Sequence, residues 1–147
     1  MIYLLYGQPG SGKTTLGNRL AKHLRSLPFN GCDPVMIDGD EFRKLFINKN
    51  YSKRGRYQNI RNANAVATYA DKVLSRDVIV TLVNPYQLLR DELKLNNRVT
   101  DILLVSTRSL RKEYHVQDFE TGSPSVTINT DERLYKTWLF LKKHINV

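Results

Sequence analysis

Five short apolar stretches, rich in branched side chains, recur along the chain at Ile2 to Tyr6, Val35 to Ile37, Val78 to Val83, Ile102 to Val105 and Val126 to Ile128. Their apolar continuity marks strands covered on both faces. Between them lie longer segments with apolar residues at helical spacing, and that alternation predicts a parallel sheet with helices on either side. A first helix is expected from Lys13 to Arg25, with Leu16, Leu20 and Leu24 on one face and Pro28 beyond its end. A short helix should follow Asp40. A long one from Arg56 to Leu74 places Ile60, Ala63, Val66, Ala67, Ala70 and Val73 on a core stripe. Asn84-Pro85 breaks the chain after the third long strand, and Gln87 to Leu95 reads as another short helix. After the loop at Gly122-Ser123-Pro124, a last helix from Asp131 to Ile145 carries Leu134, Trp138, Leu141 and Ile145 as core residues.

One region breaks the apolar rhythm in an informative way. Between the first strand and the first helix stands Gly7-Gln8-Pro9-Gly10-Ser11-Gly12-Lys13-Thr14, a full G-x-x-x-x-G-K-[ST] phosphate-binding loop in its required strand-to-helix setting. Glycines let successive main-chain N–H groups turn inward around a phosphate chain, and the helix beginning near Lys13 adds unpaired donors and the positive end of its dipole. Gly7, Gly10, Ser11, Gly12, Lys13, Thr14 and Thr15 are therefore the expected ATP contacts. Lys13 should bridge the outer phosphates, and Thr14 should place its hydroxyl on Mg²⁺. The fold class that follows is α/β: a P-loop NTPase-type three-layer α/β/α sandwich on a five-stranded, mainly parallel sheet.

Length adds that residues 1–147 should form a single P-loop kinase domain. No apolar run approaches a bilayer-spanning length, so no membrane partner is expected. The opening Met1-Ile2-Tyr3-Leu4-Leu5-Tyr6 lacks a basic lead and a small-residue cleavage site and is read as a strand, not a leader. The single Cys32 allows no internal disulfide and suits a cytoplasmic location, as a small loop residue. A net charge of +9 points to anionic partners, either nucleotides or nucleic acid. Part of it, Lys49, Lys53, Arg54, Arg56 and Arg61, is concentrated where a small anion could sit. Arg133, Lys136, Lys142 and Lys143 read as a solvated helix face. His23, His115 and His144 are too scattered to suggest a metal site.

Phosphoryl transfer needs a second, acidic site to organise the metal and orient the attacking hydroxyl. Asp38-Gly39-Asp40 supplies it at the end of the second strand, facing the same crevice as the phosphate loop. The third and fourth strands run into Asn84 and Ser106 where motor ATPases place aspartate, which favours a small kinase.

In order along the chain, Gly7 to Thr15, Asp38-Gly39-Asp40-Glu41-Phe42-Arg43, Tyr51-Ser52, Arg56 with Asn59-Ile60-Arg61, and Asn84-Pro85-Tyr86 followed by Arg90-Asp91 resemble the adenylylsulfate (APS) kinases of sulfate assimilation. The resemblance implies that Asp40, with Asp38 beside it, activates the acceptor hydroxyl and helps hold Mg²⁺. Arg43, Arg56 and Asn59 would grip the phosphosulfate, Tyr51 would stand in for the family's aromatic platform under adenine, and Asn84 and Tyr86 would complete the acceptor contacts. Guanidinium groups suit phosphate and sulfate oxygens, and a tyrosine offers a stacking face.

The chain departs from the family in two places. Asn84 occupies a position where serine is usual before Pro-Tyr. The long basic lid after the fourth strand, with its second aromatic and its Phe-Thr-Gly-containing stretch, is replaced by the short segment from Ser106 to Gln117. Arg108, Arg111 and Lys112 are left to form a short lid over the triphosphate and to stabilise the transferring group. Asn129-Thr130 is read either as a contact to the ATP base or as a helix cap. The implied reaction moves the ATP γ-phosphoryl to the 3′-hydroxyl of adenylylsulfate. A kinase acting on a nucleic-acid hydroxyl or modified base, and a non-catalytic nucleotide or nucleic-acid binding module, stand as alternatives; the retained Lys13, Thr14 and Asp40 argue against the last. A small-molecule nucleotide is the first expected partner, and a homodimer is left open.

Overall fold

The computed structural model describes residues 1–28, 31–108 and 110–147. Strands β1 (Ile2–Tyr6), β2 (Val35–Asp38), β3 (Val78–Leu82), β4 (Val99–Val105) and β5 (Val126–Asn129) form one sheet in the order β2-β3-β1-β4-β5. All four pairings are parallel; Ile2 lies in register with Val78 on one side and Val99 on the other. The intervening helices are α1 (Lys13–Ser26), α2 (Gly39–Leu45), α3 (Lys53–Lys72), α4 (Gln87–Asn96) and α5 (Leu134–Ile145), with one 3₁₀ turn at Lys112–Tyr114. No helix of the described residues is long and apolar enough to cross a membrane.

The two-residue period of β1 divides the core. Ile2, Leu4 and Tyr6 face a cluster with Ile60, Ala63, Ala67 and Ala70 of α3 and Leu89 and Leu93 of α4. Tyr3 and Leu5 face the opposite cluster, with Leu16, Leu20 and Leu24 of α1 and Trp138 and Leu141 of α5. Every residue of β1 is buried, and each such large apolar side chain contributes roughly 1.5–3 kcal/mol.

Several expected boundaries shift for local reasons. β4 begins three residues earlier than its apolar run because Asp101 is buried in it, accepting from Lys94 Nζ at 2.7 Å and from Ser125 Oγ at 2.7 Å. Burial pushes the Asp101 carboxyl up, but these bonds outweigh it and hold the pKa below the usual value. α3 begins at Lys53, not Arg56, with the Ser52 hydroxyl accepting from Gly55 N at 3.3 Å. Val66 and Val73 are not core residues; they flank the buried stripe and are 36% and 62% exposed. α5 starts at Leu134, and Leu134 is likewise exposed, because Asp131 turns back toward Ser106 and Thr107 instead of opening a helix.

Candidate active site

The carboxyl ends of β1, β2 and β3 deliver their loops to one cleft of about 690 Å³. β1 runs out through the phosphate loop, and Gly12 caps α1 with φ 90° and ψ 14°, a left-handed conformation that a side chain disfavours. Gly10 is also left-handed, and a Cβ there would lie 2.5 Å from the Leu110 carbonyl oxygen, so the segment following β4 passes directly over the loop. No side chain caps α1 and no acidic residue occupies its first turn. Its free N–H groups and dipole are thereby left for an anion.

Lys13 Nζ donates to Gln8 O at 2.8 Å and reaches Ser11 Oγ at 3.4 Å. Burial drives its pKa down to about 8, with Asp40 and Asp38 pulling upward and Arg111 adding to the depression. The Thr14 hydroxyl donates to Asp38 Oδ1 at 2.7 Å, and Thr81 Oγ1 donates to the same oxygen at 2.7 Å. Thr14 thus meets Asp38, not Asp40. Asp40 stands exposed across the cleft, with Arg111 Nη1 3.7 Å from its carboxylate. Hydroxyl and carboxylate oxygens from Thr14, Asp38 and Asp40 are hard donors of the kind Mg²⁺ selects. Among the described residues no cluster of three or more His, Cys, Asp or Glu forms a metal cage. That donor set fits an ion held partly by phosphate oxygens, as Mg²⁺ usually is.

The remaining wall carries Arg43, Tyr51, Arg56, Asn59 and Asn84. Arg43 donates to Asn48 O at 3.2 Å and Asn50 O at 2.9 Å and lies 4.1 Å from the Tyr51 ring, which leaves one ring face covered. Burial lowers the Arg43 pKa. Asn59 and Asn84 are buried, and Asn59 Oδ1 and both side-chain polar atoms of Asn84 lack hydrogen-bond partners. Asn84 adopts φ 44°.

Other expected site residues do not line this cleft. Tyr86 is 6% exposed and packs on Tyr57 with ring centroids 4.5 Å apart, in the core beneath the wall. Gly7 and Ser11 are buried within the phosphate loop itself. Arg108 is drawn to Ser106 Oγ at 3.0 Å and Thr130 Oγ1 at 3.2 Å. The Asn129 amide oxygen accepts from Asp131 N at 2.8 Å, a turn contact at the end of β5. Of the basic cluster read from sequence only Arg56 reaches the cleft; Arg61 pairs with Glu92 at 3.4 Å, and Lys53 lies over the Tyr57 ring. Of the short lid's cations, Arg111 alone lines it.

The structure adds contacts that motif reading did not reveal. Gln8 exchanges two hydrogen bonds with Val116, Nε2 to O at 2.7 Å and N to Oε1 at 2.8 Å, and His115 Nε2 lies 3.0 Å from Pro9 O. Thr130 Oγ1 donates to Ser11 O at 2.7 Å. These contacts fasten the segment after β4, and the loop after β5, to the phosphate loop. Their sequence separations carry no local signal.

Comparison with known proteins follows this geometry. The family model described as adenylylsulphate kinase matches residues 1–112. A probable adenylyl-sulfate kinase of Pyrococcus abyssi is 38% identical over 91 residues, covering 59% of this chain and 48% of that protein. One from Archaeoglobus fulgidus is 37% identical over 94 residues, covering 61% and 56%. The match therefore spans about half the length of these curated relatives. The solved Mycobacterium tuberculosis APS kinase CysC, in complex with AMPPNP and APS, superposes with a TM-score of 0.82 at 15% identity, over 99% of this chain and 97% of that one.

Proposed function

The chain belongs to the adenylylsulphate kinase family, and we propose that it transfers the γ-phosphoryl of ATP to the 3′-hydroxyl of adenylylsulfate, giving 3′-phosphoadenylylsulfate and ADP. The observation that carries this reading is the convergence of Lys13, Thr14, Asp38 and Asp40 with Arg43, Arg56 and Asn59 on one cleft. ATP seats its phosphates on the loop and the open end of α1. Lys13 leaves the Gln8 carbonyl for the outer phosphates, and Arg111 exchanges Asp40 for the transferring group. Thr14 and the Asp38–Asp40 side would hold Mg²⁺, which would supply charge neutralisation on the phosphates. Asp40 takes the proton of the acceptor hydroxyl as its oxygen bonds to the γ-phosphorus and the bond to the ADP oxygen breaks. Arg43 and Arg56 pair with the anionic groups of adenylylsulfate, and the open face of Tyr51 receives its base. Positioning and charge stabilisation carry the catalysis, without a covalent enzyme intermediate.

Radiolabelled ATP offered in parallel with adenylylsulfate and with oligonucleotides tests the reading. Labelled 3′-phosphoadenylylsulfate that disappears in Lys13→Ala and Asp40→Ala, with the fold retained by circular dichroism, is the expected result. Label on the oligonucleotide alone, or near-normal turnover in either variant, overturns it.

A further inference from the structure

Behind the acceptor wall lies a buried cation. Arg90, on α4, is 1% exposed, and no carboxylate among the described residues forms an ion pair with it. Its guanidinium instead donates to two main-chain carbonyls, Asn84 O at 2.6 Å and Glu120 O at 2.5 Å, and lies 4.3 Å from the Tyr6 ring. Burial lowers the Arg90 pKa, and Asp101, Glu120 and Asp91 offset this only from beyond ion-pair distance; burying a charge without a contacting counter-ion is expensive, and what this one fixes is specific. The first carbonyl belongs to the left-handed residue Asn84; the second belongs to the irregular segment between the 3₁₀ turn and β5. Glu120 is fastened there twice more, through its N–H to Pro85 O at 2.9 Å and its carboxylate to Gln87 N at 2.9 Å.

The group held in this way is itself unsatisfied. Neither the nitrogen nor the oxygen of the Asn84 amide has a hydrogen-bond partner, although the residue is 1% exposed and lines the same cleft as Asp40 and Asn59. Native structures seldom leave a buried donor and acceptor idle without a use for them.

We propose that Arg90 is a positioning residue for the phosphoryl acceptor: by gripping the Asn84 and Glu120 carbonyls it sets the Asn84 amide, a paired donor and acceptor, against a hydroxyl-bearing substrate. The role rests on the kinase reading, since it concerns the acceptor side of that site. The nucleotide side is fixed by other contacts, among them Thr130 to Ser11 and Gln8 to Val116, so the two sides separate in kinetics.

Arg90→Lys, Arg90→Met and Asn84→Gly in the full chain test it, with ATP and acceptor varied independently. The acceptor KM rises about tenfold in Arg90→Met and Asn84→Gly while the ATP KM moves less than about twofold, and Arg90→Lys recovers part of the loss. Asn84→Gly accepts φ 44° freely and melts no lower than the parent chain, unlike a variant that has lost a structural contact. Should Arg90→Met not fold, the other two variants decide the matter. A wild-type acceptor KM in both, or equal rises in the two KM values, overturns the proposal. If the chain phosphorylates another alcohol and not adenylylsulfate, the proposed reaction falls, and the same variants measured with that alcohol still test Arg90. Hydrogen exchange adds a readout without substrate: the Gln87 and Glu120 amides exchange faster in Arg90→Lys while those of the first turn of α1 do not, and unchanged exchange refutes the clamp.

Discussion

Within a few ångströms, Asp38 and Asp40 have different physical duties although both belong to one Asp-Gly-Asp turn. Asp38 accepts from Thr14 and from Thr81, and Thr81 is only 2% exposed. Asp38→Ala therefore strands a buried hydroxyl and is expected to cost roughly 1–3 kcal/mol of stability in addition to activity. Asp40→Ala removes an exposed side chain, so its stability stays within about 0.5 kcal/mol while turnover is lost. Denaturant melts of the two variants, beside their rates, check this; equal destabilisation would remove the distinction. Lys13 offers a second test. Because burial holds its free-state pKa down at about 8, it is mostly neutral near pH 9 and mostly charged near pH 7. Phosphate binding favours the charged form, so ATP should draw a proton onto Lys13 near pH 9 and almost none near pH 7. For stability the sign runs the same way: the unfolded chain keeps this proton up to the ordinary lysine pKa, so between about 8 and that value the folded state gains stability as pH rises. Calorimetry in buffers of different ionisation heat measures the uptake, and Lys13→Met abolishes it. The phosphate loop was legible because its chemistry resides in eight adjacent residues. Thr81 was not, being 43 positions from the carboxylate it serves, and the burial of Tyr86 was not, because a tyrosine beside a site motif reads the same whether it faces the cleft or the core.

At the scale of elements, the strands could be read from apolar runs, while the connections that shape the site could not. β4 hid its first three residues because a buried aspartate looks like a strand end until Lys94 and Ser125 are seen to satisfy it. The segment after β4 could be recognised as short and basic, but its attachment depends on Gln8, 108 positions from Val116. Two hydrogen bonds of roughly 1 kcal/mol each hold that attachment. Gln8→Ala should consequently quicken hydrogen exchange at residues 115 and 116 and raise the ATP KM, while leaving global stability within about 1–2 kcal/mol of the parent. Unaltered exchange there would mean that His115 at Pro9 suffices alone. Gln8 occupies one of the variable positions of its motif, which is why the pattern itself gave it no role.

For the molecule as a whole, the parallel α/β architecture follows from the alternating apolar pattern and the family resemblance from the ordered motifs, whereas the placement of the +9 charge follows from neither. Some surface cations are paired, Lys44 with Glu41, Arg61 with Glu92 and Lys136 with Glu132, but such pairs leave the net excess unchanged. The cleft keeps Arg43, Arg56 and Arg111 facing Asp38 and Asp40, so its field is cationic but partly balanced. The Arg111–Asp40 pair, 3.7 Å apart with both side chains more than half exposed, is of a kind worth no more than about 1 kcal/mol. A phosphate oxygen can displace it at little cost. On the proposed reading, Arg111 would act twice, first drawing the anionic nucleotide in and then leaving Asp40 when the phosphates arrive. The kcat/KM for ATP should fall several-fold between about 0.05 and 0.3 M salt, with kcat less affected, because screening acts on encounter more than on groups already in contact. Arg111→Gln lowers kcat/KM at low salt and flattens that dependence. A salt slope identical to the parent's would instead place the steering charge elsewhere on the surface, the last turn of α5 with Lys142 and Lys143 being the next basic patch to remove.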